Sequence, residues 1–173
     1  MKLKIIFLFL PLIFNGIAQT GEDNKTETLV LLDIKYKGTI CLYNKEGKLI
    51  KKLKHNFKEE DYLVFNIVGK NDSMYNVRAN YAIAGFIATG WIKRSNSKLG
   101  VYSKAYSSIL NLYQYPKNNG PIQQAIKEYN PELFEVKDWQ DGWLYIYTKI
   151  DNKKYEGWIE PKMQCANAYS HCN

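Results

Sequence analysis

The tripeptide Gly-Trp-Ile occurs twice, at Gly90-Trp91-Ile92 and at Gly157-Trp158-Ile159, sixty-seven positions apart. Other matches keep the same order between the copies. Leu42-Tyr43 returns as Leu112-Tyr113, Leu63 as Leu133 and Tyr75 as Tyr145, each at an offset of seventy. One repeated tripeptide arises easily by chance in a chain that contains tryptophan. Four ordered matches at nearly constant spacing point to an internal duplication, which restricts the chain to two copies of one structural unit. The expected units span 29–94 and 109–173, joined by a linker at 95–108 that includes Ser95, Asn96, Ser97 and Gly100.

Each unit reads as β structure. Leu29-Val30-Leu31-Leu32, Thr39-Ile40-Cys41-Leu42-Tyr43, Tyr62-Leu63-Val64-Phe65-Asn66-Ile67-Val68 and Met74-Tyr75-Asn76-Val77 are short runs rich in β-branched and aromatic residues. Clusters such as Asn44-Lys45-Glu46-Gly47 and Gly69-Lys70-Asn71-Asp72 separate them, which is the pattern of strands and tight turns. Asp141-Gly142 is a hairpin signal in the second unit. The stretch Pro121–Tyr129 fits a short helix and an extended strand equally. The expected fold class is therefore all-β.

The chain starts with Lys2 and Lys4, continues with the ten-residue apolar run Ile5–Phe14, and reaches a small-x-small tripeptide at Gly16 and Ala18. These are the three parts of a secretory signal peptide, spanning 1–18 with cleavage near Ala18. The competing reading, a membrane anchor, fails on length, because a spanning helix takes about 20 apolar residues. Residues 19–28 are polar and read as a flexible leader. The expected product is exported, periplasmic or extracellular, and not membrane-spanning. Without Lys2 and Lys4 the chain keeps 22 basic against 17 acidic residues. Such an excess aids solubility and draws the protein to anionic surfaces. A nucleic-acid partner is not expected, since no nucleic-acid motif is present.

Export places the cysteines where disulfides persist. Cys165 and Cys172 lie close together near the C-terminus, and a bridge between them would staple that tail. A metal site with His171 as a third ligand is the weaker reading, because zinc sites need a fourth group and tighter ligand pairs. Cys41, between Ile40 and Leu42, reads as a buried strand residue. Asp72-Ser73-Met74 has the form of a bacterial O-glycosylation acceptor, although Ser73 is equally an ordinary turn residue.

The opening Leu-Tyr pairs, the Asp141-Gly142-Trp143 turn and the closing Gly-Trp-Ile strands together resemble the bacterial SH3-like (SH3b) domains. The second unit follows that family's order closely: Leu110-Asn111-Leu112-Tyr113, then Leu133-Phe134-Glu135-Val136, Gly-Trp and Gly-Trp-Ile. The first unit departs from it, with Ser73-Met74-Tyr75 where the turn Gly-Trp would stand and a longer segment from Ala79 to Ala88. The resemblance implies two tandem small SH3-like β-barrels. It also implies a role in binding extended peptides or glycans along an aromatic rim.

Fourteen tyrosines and four tryptophans are available for such a rim. The ligand-binding candidates are Tyr115, Trp139, Trp143, Tyr113, Tyr147 and Tyr43. Trp139 and Tyr115 flank expected turns and are expected to be exposed. Trp91 and Trp158, in the closing strands, are expected to fill the cores, where large aromatics dominate packing. Catalysis finds little footing. His55 lies in a Lys-rich stretch without a nucleophile beside it, His171 lies by the expected bridge, and no cofactor motif occurs. The expected function is a non-catalytic envelope-binding protein whose partner is a cell-wall polymer. The alternative is a protein-binding immunity protein or inhibitor of an envelope toxin or hydrolase.

Overall fold

The computed structural model describes residues 28–170 apart from 97, 106, 107 and 129. The expected signal peptide, most of the expected leader, Cys172 and His171 lie outside the described residues. Thr28, placed in the leader by its polar neighbours, already belongs to the first strand.

The regular structure of the described residues is strand, apart from two short 3-10 turns at Arg94–Asn96 and Pro161–Met163. The first half contributes β1 (Thr28–Leu32), β2 (Ile40–Tyr43), β3 (Leu49–Leu53), β4 (Leu63–Lys70), β5 (Met74–Tyr81) and β6 (Gly85–Lys93). The second contributes β7 (Leu99–Ser103), β8 (Leu110–Tyr113), β9 (Ile122–Ile126), β10 (Phe134–Gln140), β11 (Trp143–Ile150), β12 (Lys153–Ile159) and β13 (Gln164–Cys165). Of the two conformations open to 121–129, Ile122–Ile126 take the extended one.

All pairing is antiparallel, in the order β3-β2-β6-β5-β4-β1-β7-β10-β11-β12-β8-β9, with β13 on β7. Read inward from either end, the order is the same. Each strand of the first half has its counterpart six strands later, so the duplication seen in the sequence is also a duplication of topology. Irregularities repeat too. The ladder shifts between Leu42 and Tyr43 and again between Leu112 and Tyr113. It shifts between Ile67 and Gly69 and again between Val136 and Asp138. Bulges re-aim side chains, so their recurrence preserves which residues face inward.

The pairing corrects two of the matched positions. Tyr75 stands opposite Ile92, and the residue opposite Ile159 is Leu144. The counterpart of Tyr75 is therefore Leu144, not Tyr145, and both are fully buried. Likewise Phe65, opposite Val30, corresponds to Phe134, opposite Val101, so the repeated leucines 63 and 133 are not equivalent. The identical letters lie one step out of register, and a one-step slip exchanges the two faces of a strand.

Two separately closed barrels are not established by this pairing. The sheet is open, with β3 and β9 at its ends, and it runs on across the junction where β1 meets β7. Strand β7 falls within the stretch read as a linker, where residues 101–106 read as a linking strand, and it pairs with β1 on one edge and β10 on the other. The inward residues of both halves, among them Val30, Phe65, Val77, Ile92, Val101, Leu112, Phe134, Ile146 and Ile159, merge into one hydrophobic cluster. Each such side chain stabilises the fold by about 1.5–3 kcal/mol when removed from water.

Polar contacts tie the halves together over the junction. Asp138 Oδ1 lies 2.7 Å from both Lys70 Nζ and an Arg94 guanidinium nitrogen. Arg94 also lies over the Tyr75 ring, 5.3 Å from its centre. These groups are about a quarter exposed, so solvent weakens the pairs. Replacing Asp138 with alanine is expected to cost about 1 kcal/mol in urea unfolding, a deficit that shrinks in about 1 M salt as screening sets in. A loss that is equal at low and high salt would show that the pairs contribute nothing electrostatic.

Candidate binding face

Strand alternation assigns the residues of each Gly-Trp-Ile to opposite faces. Ile92 and Ile159 point inward and are fully buried, whereas Trp91 and Trp158 lie on the outer face and are half-buried. The expectation that these tryptophans fill the cores is thus corrected. The isoleucines occupy that space, and an indole one position earlier on an extended strand must face the other way.

On the outer face of the second half, Trp158 stands directly between Tyr145 on β11 and Tyr113 on β8. The three rings form a row across three adjacent strands. Tyr145 meets Trp158 edge-to-face, with centres 5.4 Å apart and planes at 73°. Tyr113 meets Trp143 in the same manner at 5.4 Å and 88°. Such pairs hold rings in defined orientations and add about 0.5–1.5 kcal/mol beyond burial. Tyr145 hydroxyl ionisation is pushed upward, first by burial and then by the carboxylate of Glu156. The hydroxyl already has hydrogen-bonding partners in the Glu156 and Gln123 side chains. Tyr145 was not among the expected site residues. The alternation Trp143-Leu144-Tyr145-Ile146-Tyr147 carries the signal that would have found it, since it puts the three aromatics on one face.

The other expected residues scatter. Trp143 is only 6% exposed, so it packs against the Tyr113 ring and offers little surface of its own. Trp139 is not the exposed turn residue expected. It packs against the core and its indole N–H donates to Thr28 Oγ1 at 2.8 Å. A turn-flanking indole finds a partner there because β1 of the other half lies within reach. Tyr147 is half-buried, with the Lys137 ammonium 5.6 Å from its ring centre. Tyr115 is 57% exposed in the loop after β8. Tyr43 lies in the first half, opposite Trp91, with the Lys93 ammonium 5.6 Å from its ring centre.

His55 departs from its expected loop setting. It is buried, its Nε2 is 3.0 Å from the carbonyl oxygen of Asp33, and its Nδ1 accepts the backbone N–H of Leu63 at 3.0 Å. Both ring nitrogens are thus engaged by backbone atoms. Cys41 is a free thiol and half-buried on β2, less enclosed than its apolar neighbours suggested. Cys165 is buried on β13, and the expected bridge itself falls on Cys172, outside the described residues. Among the described residues, no group of three or more His, Cys, Asp or Glu side chains converges on a metal position. Nor does any helix among them have the length and apolarity to cross a membrane.

No protein-family model matches the chain, and no curated protein matches it. Similar solved structures include NlpC1 from Trichomonas vaginalis, at 16% identity and a TM-score of 0.35, covering 82% of this chain and 46% of that one. NlpC2 from the same organism is 15% identical with a TM-score of 0.35, covering 83% of this chain and 49% of that one. The chain thus spans about half the length of each. Likeness of this size carries no argument about fold or function.

Proposed function

We propose that the chain is an exported, non-catalytic binding protein that recognises an extended cell-envelope polymer, such as a peptidoglycan peptide, on the outer face of its second half. The observation that carries this reading is the row Tyr145–Trp158–Tyr113 across three neighbouring strands. Neighbouring strands are about 4.8 Å apart, so the row offers successive ring surfaces to an elongated ligand. Aromatic faces and edges, together with tyrosine hydroxyls, suit a ligand that is apolar on one side and polar on the other. The signal-peptide pattern supplies the compartment, and the basic excess favours approach to an anionic envelope. A Cys165–Cys172 bridge and two tandem SH3-like modules belong to the same reading.

Sedimentation of the mature protein with purified sacculi tests it. We expect the wild type to pellet at low salt and Trp158→Ala to bind about tenfold more weakly, as loss of a central aromatic anchor does elsewhere. Wild-type protein that stays wholly in the supernatant overturns wall binding.

A protein partner, as for an immunity protein or inhibitor, is the second reading. It is favoured by Ile83 and Phe86, which are 68% and 58% exposed around the β5–β6 turn, since exposed apolar residues at a loop tip suit a protein contact. A pull-down from periplasm that retains no protein argues against it.

A further inference from the structure

The first half repeats the geometry of the aromatic row but changes its chemistry. Trp91 stands between Asn76 on β5 and Tyr43 on β2, as Trp158 stands between Tyr145 and Tyr113. The ladder irregularity next to Tyr43 recurs next to Tyr113, so the two tyrosines are presented alike. The surroundings differ in charge. Two residues after Trp91 comes Lys93, whereas two residues after Trp158 comes Glu160. Lys52 stands opposite Cys41, whereas Ala125 stands opposite the corresponding Asn111. A small recess of about 120 Å³ lies between Thr39, Ile40, Cys41, Tyr43 and Lys93. Among the described residues no carboxylate lines it, and neither Lys93 nor Lys52 takes part in an ion pair.

We infer that this recess is a second binding site, distinct from the aromatic row of the other half, and that it takes a small anionic group, a carboxylate or a phosphate, on the Lys93 ammonium beside Tyr43. An ammonium on a flexible stem acts as a point charge that adapts to either group. Tyr43 and Thr39 line the same recess; the Tyr43 hydroxyl bonds the Cys41 side chain, and the Thr39 hydroxyl is a hydrogen-bond donor. Sites that combine one cation with neutral donors bind anions in a salt-dependent way. In the second half Glu160 takes the place of Lys93 and is paired with Lys162 at 3.1 Å, so no ammonium stands at that position. The duplication thus gives one protein two outer faces that differ in chemistry at this position. This inference does not depend on envelope binding, because it concerns the anion alone.

The test is a titration of the mature protein with inorganic phosphate and, separately, with acetate, followed by amide and indole NMR shifts at low ionic strength. The expected result is saturable shifts confined to Thr39–Tyr43, Lys93 and the Trp91 indole. Lys93→Glu should weaken that binding about tenfold or more, while Trp158→Ala leaves it unchanged. Saturation by phosphate alone marks a phosphate site, and saturation by acetate as well marks a carboxylate-accepting one. Absence of saturation with both anions overturns the inference, as does an unchanged affinity in Lys93→Glu with the β-sheet spectrum intact. Failure to bind sacculi would leave these outcomes unaffected.

Discussion

Replacing Gly90 with alanine is expected to destabilise the protein by about 2–3 kcal/mol, and replacing Gly157 by somewhat more. A Cβ at Gly90 would lie 2.7 Å from the carbonyl oxygen of Tyr43 and 2.8 Å from Leu42 Cγ. A Cβ at Gly157 would lie 2.9 Å from Leu112 Cβ, and its φ of 150° is a conformation that residues with side chains rarely adopt. Both glycines thus face the Leu-Tyr pair of the strand beside them. Glycine lets β2 and β8 approach β6 and β12 closely, which seats Leu42 and Leu112 in the core. The two repeated motifs are two sides of one contact. Urea unfolding checks this, with Gly69→Ala as control, because a Cβ there meets only Asn76 Cβ at an ordinary 3.7 Å. If Gly90→Ala unfolds within about 0.5 kcal/mol of wild type, the size of an ordinary surface substitution, the close approach is not required.

His55 governs the second large effect. Replacing it with alanine leaves the Leu63 N–H and the Asp33 carbonyl without their ring partner and opens a cavity, an expected loss of about 3 kcal/mol or more. The native protein should also weaken in acid. Burial holds His55 below its ordinary value of 6.5, and the nearby Asp33 carbonyl and charge oppose this only in part. Protonation would put a hydrogen on Nδ1, which now accepts from Leu63. The unfolded chain therefore takes up the proton first. Stability is complete above the unfolded value of about 6.5 and declines as pH falls below it toward the folded value. Tm measured from pH 8 to 5 should drop in the wild type, with a shallower fall in His55→Gln. Identical pH profiles for the two would remove His55 from this role.

The fold was legible in the sequence where the pattern was local. Short β-branched and aromatic runs gave the strands, and the repeated motifs gave the duplication. What the letters misled on was facing. Tyr75 and Tyr145 share an identity, yet the pairing sets Tyr75 with Leu144, because the inward position in each half takes whichever bulky side chain fits. Trp91 and Trp158 were expected inside because they sit in the closing strands, but Ile92 and Ile159 already occupy the inner face of those strands. His55 was hidden for a different reason. Its partners are backbone atoms of Asp33 and Leu63, and backbone groups leave no mark in a sequence. Trp139 was misplaced because its partner, Thr28, lies in the other half. The candidate face was half legible: Tyr113 was named, Tyr145 was signalled by the alternation around it, and the row that joins them through the outward Trp158 emerges only once strand register is known.

Strand β7 has a consequence for how such a chain evolves. It follows the 3-10 turn of the first half and pairs back onto β1, and β13 follows the 3-10 turn of the second half and pairs back onto β7 in the same way. One strand therefore ends one copy and begins the next. A duplication that shares a member is interlocked rather than additive: deleting either copy also removes a neighbour from the one that remains. The two outer faces can diverge in chemistry, as Lys93 and Glu160 have, while neither copy is free to be lost.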